Sequence, residues 1–174
     1  MNAGLEVRNL CKDFRLRRGL RFSTLHAVID ASLTIAPGQT VALVGESGSG
    51  KSTIARIIAK LETPTSGEVL LDGRPTPNRG AALAEYRRQV QMVFQDPFAS
   101  LNPFHSIAHH IERPLRIHHP RLSGAEVRDR ARELLERVQL GAEYLDRRPH
   151  ELSGGQRQRV AIARALAPGA RFIV

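Results

Sequence analysis

The sequence predicts an α/β fold: a parallel-sheet core with an antiparallel β-region at its N-terminus and a helical insertion between strands. Three observations predict it. The short apolar run Thr40-Val41-Ala42-Leu43-Val44 passes directly into a glycine-rich loop and then an amphipathic helical pattern, the order of a βα unit. Val90, Met92 and Phe94 alternate with Gln89, Gln91 and Val93, so a second sheet strand should end near Gln95. Between that strand and the β-prone run Phe172-Ile173-Val174, the pattern is helical and cut by prolines.

Each element has its own signals. Leu5, Val7 and Asn9 alternate with Glu6, Arg8 and Leu10, as in a strand, and the basic stretch Arg15 to Arg21 reads as a loop. Leu33 and Ile35 flank Thr34 before the turn signal Pro37-Gly38. Thr40–Val44 is apolar enough for a strand buried on both faces of a parallel sheet. After the loop, Ile54, Ile57, Ile58 and Leu61 fall at i, i+3, i+4 and i+7, a helix that Pro64 and Ser66-Gly67 should end. Glu68–Leu71 leads to the hairpin pair Asp72-Gly73.

From Asp96 to about Pro149, Pro97, Pro103, Pro114 and Pro120 punctuate short helical pieces. Ser123 and Glu126 stand at capping-box spacing, and Val127, Ala131, Leu134, Leu135 and Val138 form one apolar face. Gly141 sits where a C′ glycine belongs. Gly154-Gly155 opens another helix bearing Val160, Ile162, Ala163 and Leu166, and Pro168-Gly169 stops it.

Composition bounds the function. At 174 residues and 41% hydrophobic, the chain has the size and apolar content of one domain. No run approaches the ~18–20 apolar residues of a membrane span, and Met1 to Arg8 lacks the apolar stretch of a secretory signal. The single Cys11 excludes an intrachain disulfide framework or a multi-cysteine zinc site, so a cytoplasmic protein is expected. Twenty-six Lys+Arg against 17 Asp+Glu give +9, which would suit anionic partners, but an arginine-rich composition with solvated faces is the simpler reading. His109-His110 and His118-His119 straddle Pro114. Adjacent side chains on a helix do not face each other, so these pairs read as structural and not as metal ligands.

Chemistry concentrates at two glycine motifs. Gly45-Glu46-Ser47-Gly48-Ser49-Gly50-Lys51-Ser52 fits G-x-x-x-x-G-K-[ST] at every fixed position, between an apolar run and an amphipathic helix. Its glycines let successive backbone N–H groups converge on phosphates. Lys51 supplies a point charge, Ser52 a hydroxyl for Mg²⁺, and the following helix its positive end. About a hundred residues on, Leu152-Ser153-Gly154-Gly155-Gln156 stands at a second helix start. There the Ser153 hydroxyl and the two glycine amides could face phosphate oxygens. Taken alone, the pentapeptide is also an ordinary helix cap.

The phosphate loop, Gln95 at a strand end and Leu152–Gln156, in that order, resemble the ATP-binding cassette ATPases, with a P-loop NTPase core. Val90-Gln-Met-Val-Phe-Gln-Asp-Pro97, Ser100-Leu-Asn-Pro103 and Arg148-Pro-His-Glu-Leu-Ser-Gly-Gly-Gln-Arg-Gln-Arg159 look like the branch serving peptide and nickel importers. The resemblance implies a nucleotide-binding core over 1–95 and 160–174, with a helical subdomain bearing the signature over 96–159. It implies an ATP-binding subunit that couples ATP binding and hydrolysis to solute import. ATP and Mg²⁺ would be the cofactors, with Gly45 to Thr53 on the phosphates and Ser52 and Gln95 near Mg²⁺ or the attacking water. Phe14 matches the aromatic that stacks on adenine, Phe22 being the nearby alternative. Leu152 to Gln156 would act in trans in a head-to-tail dimer with a second ATPase subunit. The helical segment would meet a transmembrane permease, placing the protein peripherally on the cytoplasmic face of the membrane.

The family's hydrolytic carboxylates lie at the end of an apolar strand after the signature helix, and a switch histidine follows. Here that strand begins at Phe172-Ile173-Val174, and the acidic pair and the histidine do not follow. A chain with its C-terminal part missing, binding ATP at most, is the resulting expectation. Glu46, Asp96 and Glu151 adjoin motifs but read as loop or helix-end charges. The alternatives are a gene remnant or a soluble cassette ATPase acting on nucleic acid. The latter lacks support because the chain has no coiled-coil or zinc insertion, and no nucleic-acid partner is expected.

Overall fold

The computed structural model describes residues 4–19, 21–96 and 100–174, so Pro97 of the strand-end motif lies outside the described residues. Two compact units make up the chain, Met1–Arg87 and Arg88–Val174.

The first unit is built on an antiparallel sheet in the order β2-β1-β3-β4. Its strands are β1 (Leu5–Arg18), β2 (Arg21–Ile35), β3 (Ser66–Leu71) and β4 (Arg74–Pro75). The antiparallel N-terminal β-region is therefore present. Its phase is not the simple alternation expected through Leu10. The β1–β2 register shifts between Val7 and Leu10, and Asn9 takes a left-handed φ of 45°. One extra residue in a strand reverses the faces beyond it, which brings Leu10 into the same buried set as Leu5 and Val7. Asn9 tolerates the position because its side chain bonds locally. Its Nδ2 donates to Asp30 Oδ1 and its backbone N–H to Ser32 Oγ, both at 2.9 Å.

The basic stretch Arg15–Arg21 is a hairpin, not a loop. Pairing continues from Phe14↔Leu25 through Arg17↔Phe22 to Arg18↔Arg21, and Gly19 at φ 63° makes the reversal. Charge alone does not oppose a strand whose faces are both in solvent. The β3–β4 hairpin is as expected, with Asp72 and Gly73 both left-handed at φ 53° and 76°, the geometry that matches strand twist.

Thr40–Val44 forms no strand. A strand exists through its ladder, and no sheet pairing among the described residues includes 40–44. Val44 is 92% exposed, and Leu43 and Val41 are also open. Helix α1 (Lys51–Ile58) buries Ile54, Ile57 and Ile58 as predicted, but it stops before Leu61. Lys60 turns left-handed at φ 56°, which leaves Leu61 exposed. Helix α2 (Gly80–Gln89) had no predicted counterpart; it buries Tyr86, whose hydroxyl donates to the Ile58 carbonyl at 2.6 Å.

In the second unit, β5 (Val90–Gln91) and β6 (Phe172–Ile173) pair in parallel, Val90 opposite Phe172. Bonds at the ends extend the ladder: Arg171 N–H to Gln89 O and Val174 N–H to Gln91 O at 2.9 Å, Val93 N–H to Val174 O at 2.8 Å. The apolar C-terminal run is thus a strand, joined to β5 through helices as an α/β crossover requires.

Those helices are α3 (Ile107–His118), α4 (Gly124–Arg137) and α5 (Gly154–Leu166), with short 3₁₀ turns at Ala142–Asp146 and Pro149–Glu151. They share one core that includes Ile107, Ile111, Leu115, Val127, Leu135 and Val160. Each such buried side chain stabilises by about 1.5–3 kcal/mol. That burial holds α3 together through Pro114, which lies inside the helix and does not end it. The missing N–H and the ring clash cost about 3 kcal/mol; Ile111 and Leu115 on either side are fully packed. Ser123 and Glu126 make the predicted reciprocal capping box at 2.8 and 3.3 Å. The end of α4 differs from expectation. Gln139, at φ 58°, takes the left-handed place expected for Gly141. Leu140 N–H donates to Leu135 O and Gln139 N–H to Glu136 O, a Schellman arrangement two residues earlier.

Candidate functional site

In the first unit, the glycine loop enters α1 through backbone geometry alone. Gly48 and Gly50 are left-handed at φ 85° and 88°. Gly50 is the N-cap of α1, and no side chain caps it. A Cβ on Gly50 would stand 2.2 Å from the Ala27 carbonyl of β2 and 3.2 Å from Val28 Cγ2. Glycine is required there twice over, for its conformation and for the close approach of β2. Glu46 to Ser49 are exposed and turn through Ser49 N–H donating to Glu46 O at 3.2 Å.

Lys51 folds over this loop. Its Nζ donates to the carbonyls of Gly45 at 2.8 Å and Glu46 at 2.6 Å and to Ser49 Oγ at 3.1 Å. All three donor positions of the ammonium are turned onto oxygens of the loop. Ser52 is exposed on the first turn of α1, and Thr53 is half-buried beside it. The arrangement is a cation folded over an open backbone turn at a helix N-terminus, chemistry suited to a polyphosphate.

Phe14 is half-buried near the sheet, with Lys12 Nζ 4.8 Å from its ring centre. Lys12 also bonds Glu62 Oε1 and the Thr63 carbonyl, each at 2.7 Å. That contact holds the Glu62 carboxyl below its ordinary range. Phe22, the alternative aromatic, sits at the hairpin tip, 72% exposed, with the Arg17 guanidinium 5.9 Å from its ring.

In the second unit, Gln95 lies exposed in a bend just past Val93, beyond the carboxyl end of the parallel pair. In open α/β sheets, ligands sit outside that end of the strands. Leu152–Gln156 is built differently from the first loop. Leu152 is buried in the helical core, and Ser153 is a full N-cap of α5. Ser153 Oγ accepts from Gln156 N–H at 3.3 Å, while Gln156 Oε1 accepts from Ser153 N–H at 2.9 Å. The side-chain amide of Gln156 is fixed further by donating to the Tyr144 hydroxyl at 2.9 Å, and Arg147 stacks 4.4 Å from the Tyr144 ring. Gly154 and Gly155 are exposed, and a Cβ on either would meet nothing within 4 Å. Their N–H groups, in the first helical turn, have no intrahelical partner by construction. Gly155 borders an open cleft of about 460 Å³ lined also by Gln139, Tyr144, Ser153, Gln156 and Arg159, among others.

Sequence reading missed Tyr144 and the β2 carbonyl of Ala27, because both contacts are tertiary and no local pattern announces them. The histidines hold structural places. The rings of His105 and His109 stack at 4.0 Å, and His110 and His119 donate ring N–H groups to the carbonyls of Asn102 and Ala167 at 3.0 and 3.2 Å. Burial pushes the His110 imidazole below its ordinary value.

The profile of the ABC transporter family matches residues 28–174, which takes in both glycine motifs and the parallel pair. The chain belongs to the ABC transporter family. Among ABC proteins, it is 47% identical over 172 residues to the oligopeptide transport ATP-binding protein OppF of Bacillus subtilis (strain 168). It is 46% identical over 177 residues to the glutathione import ATP-binding protein GsiA of Escherichia coli (strain K12). These alignments take in 98% of this chain but 55% of OppF and 28% of GsiA, so it spans about half the length of the first and less of the second. Among solved ABC structures, the dimeric post-hydrolysis state of the ATP-binding cassette MJ0796 bound to ADP and Pi superposes with a TM-score of 0.84 at 37% identity. That match covers 97% of this chain and 72% of the other. CbiO1 from Clostridium perfringens, part of the ABC transporter complex cbiONQ, gives 0.79 at 26% identity, covering 99% and 64%.

Proposed function

We propose that this chain is the ATP-binding part of an ABC importer subunit for peptides. One observation carries the reading: Lys51 poised over an exposed left-handed glycine turn at the start of α1, satisfied only by loop oxygens that phosphate oxygens would replace. Gly45, Glu46, Ser47, Gly48, Ser49, Gly50, Lys51, Ser52 and Thr53 would hold the nucleotide phosphates, with Ser52 and Gln95 at Mg²⁺ and Phe14 against the adenine. Bound Mg²⁺ would neutralise charge on the β- and γ-phosphates. The residues fit that group: the loop is open, and the Ser52 hydroxyl is exposed on the first helical turn.

Leu152 to Gln156 would close on the nucleotide held by a second ATPase subunit. The first-turn amides of Gly154 and Gly155, bare of side chains, support that role. A permease would receive the helical segment and hold the protein at the cytoplasmic face of the membrane. No helix among the described residues is long and apolar enough to cross it. The oligopeptide and glutathione relatives favour a peptide-type solute over nickel.

Reconstitution tests the import reading. The full open reading frame, placed with its permease in proteoliposomes, should take up short peptides only with internal ATP, and Lys51→Ala should abolish uptake. Uptake of Ni²⁺ in place of peptide, or peptide uptake indifferent to ATP, would overturn it.

A further inference from the structure

Beyond Phe14, the N-terminal hairpin has no part in the nucleotide site proposed above. Strand β3 pairs with β1 only as far as Cys11, opposite Ser66. From Arg15 to Thr24, β1 pairs only with β2, so this length is a two-stranded ribbon projecting past the sheet. A bare ribbon is marginal in water and gains nothing from apolar side chains left in solvent. Even so, it presents Leu16, Phe22 and Leu25 at 40, 72 and 50% exposure. Arg15, Arg17 and Arg21 are exposed beside them, and no Asp or Glu occurs between Phe14 and Leu25.

We propose that this ribbon docks on the surface of an anionic lipid bilayer, independently of any permease. Guanidinium groups on a stretch with no Asp or Glu between Phe14 and Leu25 match a layer of lipid phosphates. The apolar side chains between them match the acyl boundary beneath, with the aromatic Phe22 at the tip where headgroup and hydrocarbon meet. Single-stranded nucleic acid would share the phosphates, but it binds by stacking bases on aromatic faces. Two of the three apolar groups here are aliphatic, and the Phe22 ring already has Arg17 5.9 Å from its centre.

Flotation of the full 174-residue chain with phosphatidylcholine vesicles, with and without phosphatidylglycerol, tests this. Binding should need the anionic lipid and weaken with salt. Each of Arg15→Gln, Arg17→Gln and Arg21→Gln should weaken it roughly fivefold, and the triple variant about a hundredfold. Phe22→Ser with Leu25→Ser should weaken binding at every salt concentration. Arg15→Lys/Arg17→Lys/Arg21→Lys, which keeps charge and ribbon, should bind as the parent does, and so should Arg130→Gln on α4. The proposal is overturned by equal binding to uncharged vesicles, by wild-type binding of the Gln triple variant, by loss of binding in the Lys triple variant, or by an oligonucleotide displacing the vesicles.

Discussion

The two glycine-rich helix starts look alike in sequence and are held by opposite means. At Gly45–Lys51 the backbone does the work: two left-handed glycines, a β2 carbonyl pressed against Gly50, and no side-chain cap on α1. At Leu152–Gln156 the side chains do it: a buried leucine anchor, a reciprocal Ser153–Gln156 cap, and Tyr144 locking the amide. There the glycines have ordinary helical backbone in the open, and what they contribute is the absence of a side chain. The first site is a turn that only glycine can make. The second is a rigid platform that only glycine leaves bare.

Substitution separates the two uses, and the largest effect is expected at Gly50. Gly50→Ala combines a left-handed backbone with a Cβ 2.2 Å from a carbonyl, and should weaken α1 by about 3 kcal/mol. Hydrogen exchange at Ile54, whose N–H bonds the Gly50 carbonyl, should quicken roughly a hundredfold. Unchanged exchange there would erase the contrast.

Ser153→Ala should cost about 1 kcal/mol in the helical unit by removing the N-cap, read as faster exchange at the Gln156 amide, and Ser153→Asp should recover most of it. The same unit carries a pH signature. His110 is buried, and its folded pKa lies below the ordinary 6.5. The unfolded chain therefore binds the proton first on acidification, and stability present above about pH 6.5 is lost as pH falls toward the folded value. Urea midpoints of the helical unit should decline over that range, and His110→Gln should flatten the decline. Gly155→Ala is the smallest perturbation. With open space around it, the fold should change by no more than about 0.5 kcal/mol. A large loss of stability there would show that the glycine is a backbone requirement after all.

Much of this was legible in sequence because its determinants are local. The capping box at Ser123–Glu126, the Asp72-Gly73 hairpin, the apolar face Ile54/Ile57/Ile58 and both glycine motifs each lie within a few residues. Some of what sequence missed depends on partners far along the chain, and some on pairing across a turn or at a helix end. The bulge at Asn9 answers to Ser32 and Asp30, and the Arg15–Arg21 hairpin to its pairing across the turn. Thr40–Val44 has strand-like composition but joins no ladder among the described residues. Gln139 displaced Gly141 as the left-handed cap because the Schellman bonds close onto Leu135 and Glu136 at the helix end itself. Pro114 ends no helix because its neighbours are packed in the core. In the candidate site, the residues of each motif could be read, while Tyr144 and the Ala27 carbonyl that position them could not.

Equilibrium binding of ATP to the chain, with and without Mg²⁺, tests the central claim most directly. The account predicts saturable, Mg²⁺-strengthened binding that Lys51→Ala weakens roughly 10- to 100-fold, the worth of a charge-assisted contact, while Gly155→Ala in the isolated chain leaves it unchanged. Binding that survives Lys51→Ala, or that Gly155→Ala abolishes, would contradict it.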